Sequence, residues 1–338
     1  MRQTSLFGDS KFLAKLSKLG DFLEMLNLLI DWEFFRPILC KYLKKNRKSN
    51  AGRPSYDPVM MFKLIVLQRF YNLSDDRMEF RIYDSRTFAR FLGLGEADNV
   101  PDAKTIWLFK DTLAKENAME EIFLLFNRKL EELKIIVHNG SIIDATFVDA
   151  PKQRNSREEN AQIKAGQTPE DWEAQPHKKA QKDVVARWTK KNNENYYGYK
   201  NNVKVDQDTK LVTAAVVTPA NVHDSQVLEE LIDEKDKVVY ADKAYAGKKL
   251  PEHITNNILE KGCRNKPLTE EQIRNNKEKS RIRVRVEHAF ADMTVGLCGL
   301  FLRCIGITRA KFFIMLTNVA YNFRRLCFVC PNIGITRV

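Results

Sequence analysis

Residues 142–151 read IIDATFVDAP. Ile142, Ile143, Thr146, Phe147 and Val148 favour an extended strand, and Pro151 ends it. Apolar residues fall on both faces of such a strand, so both faces need cover, which points to the middle of a sheet flanked by helices. Asp144 sits inside this run. A carboxylate there loses much of its hydration unless something compensates it. An arginine, a set of backbone N–H groups or a metal ion would do so, and the choice bears directly on function.

The surrounding chain sets the fold class. Residues 11–47 space their leucines and phenylalanines at helical intervals. A basic, turn-rich stretch, KKNRKSNAGRPSYDP, follows. Asp57 then caps a helix with Pro58 at its first position; Ser74 and Asp84 mark two more starts, and Thr105 lies near a fourth. Residues 1–130 therefore read as an all-helical domain and 131–338 as a second domain. There, IIVHNGSIIDATFVDA reads as strand, Asn-Gly turn, strand. Residues 152–194 read as a mobile polar insertion. YYGYKNNVKVD and LVTAAVVTPANV read as strands joined by the turn DQDTK. SQVLEELIDE reads as a helix, KVVYADKAYA as a strand, KKLPEHITNNILE as a helix, and KFFIMLTNVAYNFRRLCFV as a long apolar helix. Together these make an α/β sheet with an antiparallel front half.

Two further carboxylates share Asp144's predicament. Strand alternation puts Val238, Tyr240 and Asp242 on one face, with Asp242 near the strand end. In RIRVRVEHAF, Glu287 flanks an apolar helical stripe formed by Val286, Phe290, Met293 and Leu297, with Arg283 and Thr294 on nearly its own line. Two aspartates on neighbouring strands and a glutamate from an overlying helix suit hard divalent cations, which take oxygen ligands. On spacing alone, local pairing of each acid, for instance Asp144 with an arginine, is the commoner explanation, because Asp and Glu are abundant and three can always be chosen.

The net charge of +12 favours a polyanionic partner. Between Arg274 and Arg309 eight Lys/Arg face three acids, a stripe suited to a DNA backbone that includes Arg281, Arg283, Arg285 and Arg303. ARWTKK joins Arg187, Trp188 and Lys190, a combination that stacks on bases and pairs with phosphates or else anchors a loop. Asp224 reads as a helix cap. Cys327 and Cys330 form a lone CxxC without a completing pair and read as helix core. No stretch approaches the ~20 apolar residues of a membrane span, and the N-terminus lacks a signal-peptide core, so an intracellular protein without a membrane partner is expected.

The motifs also carry a resemblance. In order, GRPSYDP, LSDDRMEFRIYDSRTFARFLGL, VPDAKTIWLFKDTL, IIDATFVDAP, ARWTKK, YYGYKNNV, TPANVHDS, VYADKAYAG and RVRVEHAF resemble the DDE transposases of bacterial insertion sequences, the branch called the insertion-sequence-five family. The resemblance implies an RNase H-like mixed sheet with flanking helices behind the helical domain. It implies Asp144, Asp242 and Glu287 as catalytic ligands of two Mg²⁺ ions, with Mn²⁺ as a substitute. It implies cleavage at the element's ends by water, then attack of the freed 3′-OH on target DNA, with Arg283 near DNA phosphates. The expected partners are terminal inverted repeats and target DNA, bound by a homodimer, in the cytoplasm at the nucleoid. Ser280 and Thr294 depart from the family's tyrosine and lysine at those places. A DNA-binding derivative that has lost its chemistry is the alternative; a small-substrate phosphohydrolase needs a DxD pattern, and Thr146 counts against it.

Overall fold

Apolar residues at helical spacing need neighbours to bury against, and in the computed structural model the first third of the chain finds them in a set of packed helices. Residues 8–43, 55–95, 97–264, 266–297, 299–332 and 334–338 are described. Part of the basic stretch at 44–54, and Cys298, lie outside them. The chain divides into two compact units, Met1–Thr112 with Phe323–Val338, and Leu113–Asn322.

In the first unit, Asp57 accepts from the Val59 and Met60 N–H groups and starts the helix Pro58–Phe70 as its sequence demands. That helix is apolar nearly all round and correspondingly buried. Trp32 meets Phe62, Phe91 and Phe323 edge-on. Ser74 caps Asp75–Asp84 through the Arg77 N–H. Asp84 does not start the next helix: its carboxylate is taken by Arg81, and Arg86–Leu92 begins after Ser85 without a side-chain cap. Cys327 and Cys330 are buried, their thiols pushed up to about 12 and about 11 by that burial, which suits inert core residues.

The second unit holds a mixed sheet of β1 (Ser141–Asp149), β2 (Arg187–Lys191), β3 (Glu194–Asp206), β4 (Val212–Pro219), β5 (Val238–Ala241) and β6 (Thr255–Ile258). The order is β2-β3-β1-β5-β6, and β4 also pairs with β3. β3 is long enough to bind antiparallel β1 along one edge and, along the other, β2 on its first residues and β4 on the rest. β1–β5 and β5–β6 are parallel. The expected double cover of β1 is present. Ile143 packs with Val239, Ala241 and Leu231 on one face, and Val148 with Tyr199 and Ile314 on the other.

Four expectations about strands, helices and order in this unit also fail. Residues 135–140 form no strand; His138 takes a left-handed conformation and Asn139–Gly140 lead into β1 rather than turning a hairpin. The polar insertion is ordered: it contains Arg157–Lys164, two short helices and β2, and its Trp172 is 0% exposed and donates to Glu159. Trp172 and Ile163 are both buried, apolar anchors that the segment's average polarity hides. The segment read as a helix at 248–260 instead yields β6, because the open edge of β5 offers its backbone a ladder. The strand at Asp242 stops at Ala241, since Asp242 caps the turn Lys243–Tyr245 through the Lys243 N–H.

Candidate active site

The parallel register of β1 and β5 decides where two of the carboxylates lie. Its last pair is Ile143 with Ala241, so Asp144 and Asp242 follow at equal height on adjacent strands. Asp144 shares its face with Val203, Asn201 and Tyr199 of β3. Asn201 and Asn318 exchange amide hydrogen bonds at 2.8 and 3.2 Å beneath that face. The third carboxylate comes from Arg285–Ala291, the helix packed against β1. The predicted stripe holds: Val286, Phe290, Met293 and Leu297 are all buried, and Glu287 stands beside them with its side chain 55% exposed.

The cation that meets Asp144 is Arg283, the last residue of the helix Glu270–Arg283. Its Nη1 donates to Asp144 Oδ2 at 2.7 Å and lies 3.7 Å from Glu287 Oε1. Asp144 also accepts from the Ala145 N–H at 2.8 Å. Its side chain is only 15% exposed. Burial pushes its carboxyl up to about 6, and the Ala145 N–H and Arg283 oppose that shift without cancelling it. The compensation for its burial is therefore incomplete. Among the described residues no three His, Cys, Asp or Glu side chains converge closely enough to share one ion. The guanidinium occupies the space between Asp144 and Glu287. The donors fit a hard divalent ion in kind, all oxygen, with Asp144 and Asp242 aligned and Glu287 facing Asp144 across Arg283 Nη1.

The DNA-facing candidates separate. Arg187 donates to the Val184, Ala186 and Ile163 carbonyls and so ties the insertion together. Arg285 donates to the Gln207 carbonyl at 3.0 Å, bracing the turn after β3. Arg281, Lys190 and Arg303 are exposed. Trp188 is 51% exposed, tilted on Tyr197 at 5.0 Å, with Lys152 Nζ 5.8 Å from its ring. Thr294 falls in the π-helical turn Asp292–Gly296, exposed, and donates to the Phe290 carbonyl.

Sequence reasoning missed a second layer. His223, not Asp224, caps the turn after β4, accepting from the Ser225 N–H. Asp224 instead accepts from Lys200 at 2.6 Å. Lys200 Nζ also donates to the Val222 carbonyl and sits 5.4 Å from the Phe147 ring. Tyr245, three residues after Asp242, is fully buried with no hydrogen-bond partner for its hydroxyl. Burial and the charges of Asp224, Asp144 and Asp242 push its phenol well up. The alternating lysines of YKNNVK were the available signal, since they share the face of a strand too apolar to lie open.

A family model described as Transposase DDE domain matches residues 137–323. The chain belongs to the DDE transposase family. A second model, Transposase domain (DUF772), matches residues 11–112, ending where the first segment of the helical unit ends. The two models identify a transposase of insertion sequences without resolving its branch. No solved structure matches the chain. The family implies nuclease and transferase activity on DNA, generally with divalent metal. Among the described residues no helix of this transposase is long and apolar enough to cross a membrane.

Proposed function

We propose that this transposase cleaves phosphodiester bonds at the ends of its insertion sequence and joins the 3′-OH ends to target DNA, with Asp144, Asp242 and Glu287 as ligands of two Mg²⁺ ions. The observation that carries this reading is the equal height of Asp144 and Asp242 on parallel neighbours, with the Glu287 helix packed on β1. Paired divalent ions activate a water or hydroxyl and stabilise the leaving oxygen. The β1 ladder and the Ala145 N–H hold the Asp144 carboxylate in place, and the turn at Lys243 does the same for Asp242. Glu287, largely exposed, has the freedom to close on the pair. Arg281, Arg303 and Lys190 supply charge for the DNA backbone and Trp188 a face for a base. Arg187 and Arg285 serve the same surface from behind by holding its loops. Residues 1–130 bind the terminal repeats and bring two copies together, residues 131–338 carry the chemistry, and the protein works in the cytoplasm at the nucleoid.

The test is nicking of the DNA that flanks the protein's own gene, in Mg²⁺, by wild type, Asp144→Asn, Asp242→Asn and Glu287→Gln. Each amide removes a negative ligand while keeping its shape, so cleavage falls by orders of magnitude. The losses do not multiply, because each disables one unit. Binding to the same DNA in Ca²⁺ survives. Near-normal nicking by Asp144→Asn or Asp242→Asn refutes the site, and by Glu287→Gln alone shows that the third ligand lies elsewhere. Wild-type binding without any nicking favours the DNA-binding derivative.

A further inference from the structure

The contact between Arg283 and the acids is a poor use of a guanidinium. An arginine presents five N–H donors in a planar fork, and a site built around it engages two of them on one carboxylate. Here Nη1 alone reaches both acids, at 2.7 Å from Asp144 Oδ2 and 3.7 Å from Glu287 Oε1. The Nε, which with Nη2 forms the side-on fork that Arg36 uses on Glu33, is buried without a hydrogen-bond partner. A single nitrogen thus stands where a small cation would stand between two carboxylates. The arginine can also leave. It ends its helix, only Val284 separates it from the next one, and its side chain is 20% exposed at a margin open to solvent.

We propose that Arg283 is a positioning residue that takes the place of the divalent cation in the metal-free protein. It holds Asp144 and Glu287 together until the ion displaces it. This rests on the metal reading of the site given above. Without a cation, two acids brought this close repel each other, and Glu287, more than half exposed, swings away. With Arg283 between them the acids stay near their working places, and the ion enters by exchange of one positive charge for another. The freed guanidinium then lies beside the ions, where a scissile phosphate has to lie. Displacement therefore couples the two ligands. Metal raises affinity for DNA, and DNA raises affinity for metal by the same factor.

The experiment measures Mn²⁺ binding to the full chain without DNA, by calorimetry and by the loss of the free-ion paramagnetic resonance signal. The proteins are wild type, Arg283→Gln, Arg283→Lys and Asp144→Asn. Arg283→Gln removes the competitor and is expected to bind Mn²⁺ at least about tenfold tighter than wild type, a change of ~1.4 kcal/mol. Arg283→Lys keeps a competing charge and returns affinity toward the wild-type value. Duplex DNA from the gene's flank is expected to tighten Mn²⁺ binding in wild type and to lose that effect in Arg283→Gln. Equal or weaker Mn²⁺ binding by Arg283→Gln overturns the proposal and makes the arginine a structural strut. Absence of Mn²⁺ binding in wild type and Arg283→Gln alike overturns the metal reading itself, and Asp144→Asn binding as well as wild type does the same.

Discussion

Asp236→Asn is expected to be among the most damaging single changes in the second unit, although it lies at the opposite end of β5 from Asp242. The Asp236 side chain is 0% exposed and that of Lys204 3%. Asp236 accepts from Lys204 at 2.8 Å, from Ser141 Oγ at 2.6 Å and from the Asp233 N–H at 2.8 Å. His138 Nδ1 lies 3.7 Å away and its Nε2 meets Glu131 at 2.9 Å. These contacts hold the Asp236 carboxyl far below the usual carboxylate range against the opposing effect of burial. An asparagine keeps the shape but leaves the Lys204 ammonium buried without its counter-charge. Breaking a buried pair from one side costs about 3–5 kcal/mol, and retained contacts to Ser141 and the backbone place this case at the lower end. For a unit of this size about 3 kcal/mol lowers the melting temperature by roughly 6–12 °C. The measurement is calorimetric or circular-dichroism melting of the full chain. Adding Lys204→Met to Asp236→Asn should recover most of the loss, because removing both charges can be nearly neutral. A fall below about 2 °C, or no recovery in the double variant, refutes the claim that the pair anchors this end of the sheet.

Other perturbations separate the remaining interactions. His138 is raised above its ordinary 6.5, chiefly by the Asp236 carboxylate 3.7 Å away and, with burial opposing, by Glu131. Stability from its protonation is thus full below that value and lost as pH rises through the raised one. Denaturation midpoints at stepped pH should show this limb in wild type and not in His138→Gln; parallel profiles count against it. Gly198→Ala should destabilise strongly, by more than about 2 kcal/mol, because φ is +148° and the added Cβ would meet the Val148 carbonyl oxygen at 2.3 Å and the Ala150 nitrogen at 2.7 Å. Urea titration reads this directly, and a midpoint unchanged from wild type would show that the backbone there yields. Tyr245→Phe removes a buried hydroxyl without a partner, so metal-free stability should hold or rise, by up to about 1–3 kcal/mol. A clear loss on thermal melting would reveal a partner for that hydroxyl.

The sequence alone determined whatever depends on neighbours a few residues away. Asp57, Ser74 and Pro58 start helices through their own backbone geometry, and the Val286–Leu297 stripe buries itself because helical spacing leaves no other face. Asp144, Asp242 and Glu287 were legible for a related reason: each interrupts or borders an apolar pattern, and a charge in such a place calls for an explanation. Thr294 was placed by the same helical arithmetic, yet it falls in a π-helical turn that the regular repeat does not anticipate.

Tertiary structure decided everything that depends on a partner far along the chain. KKLPEHITNNILE has a usable helical pattern, and only the open edge of β5 draws part of it into a strand. Lys200, Lys204 and His138 look like solvent residues until Asp224 and Asp236 arrive from elsewhere to compensate them. Trp172 orders a segment whose composition argues for mobility. Arg283 is the clearest case. Its sequence places it one helical turn before Glu287, but its bond to Asp144 spans 139 residues. A local pattern records which face of an element must leave water. It does not record which opposite charge will be waiting there, since that is set by how β1, β5 and the overlying helices pack.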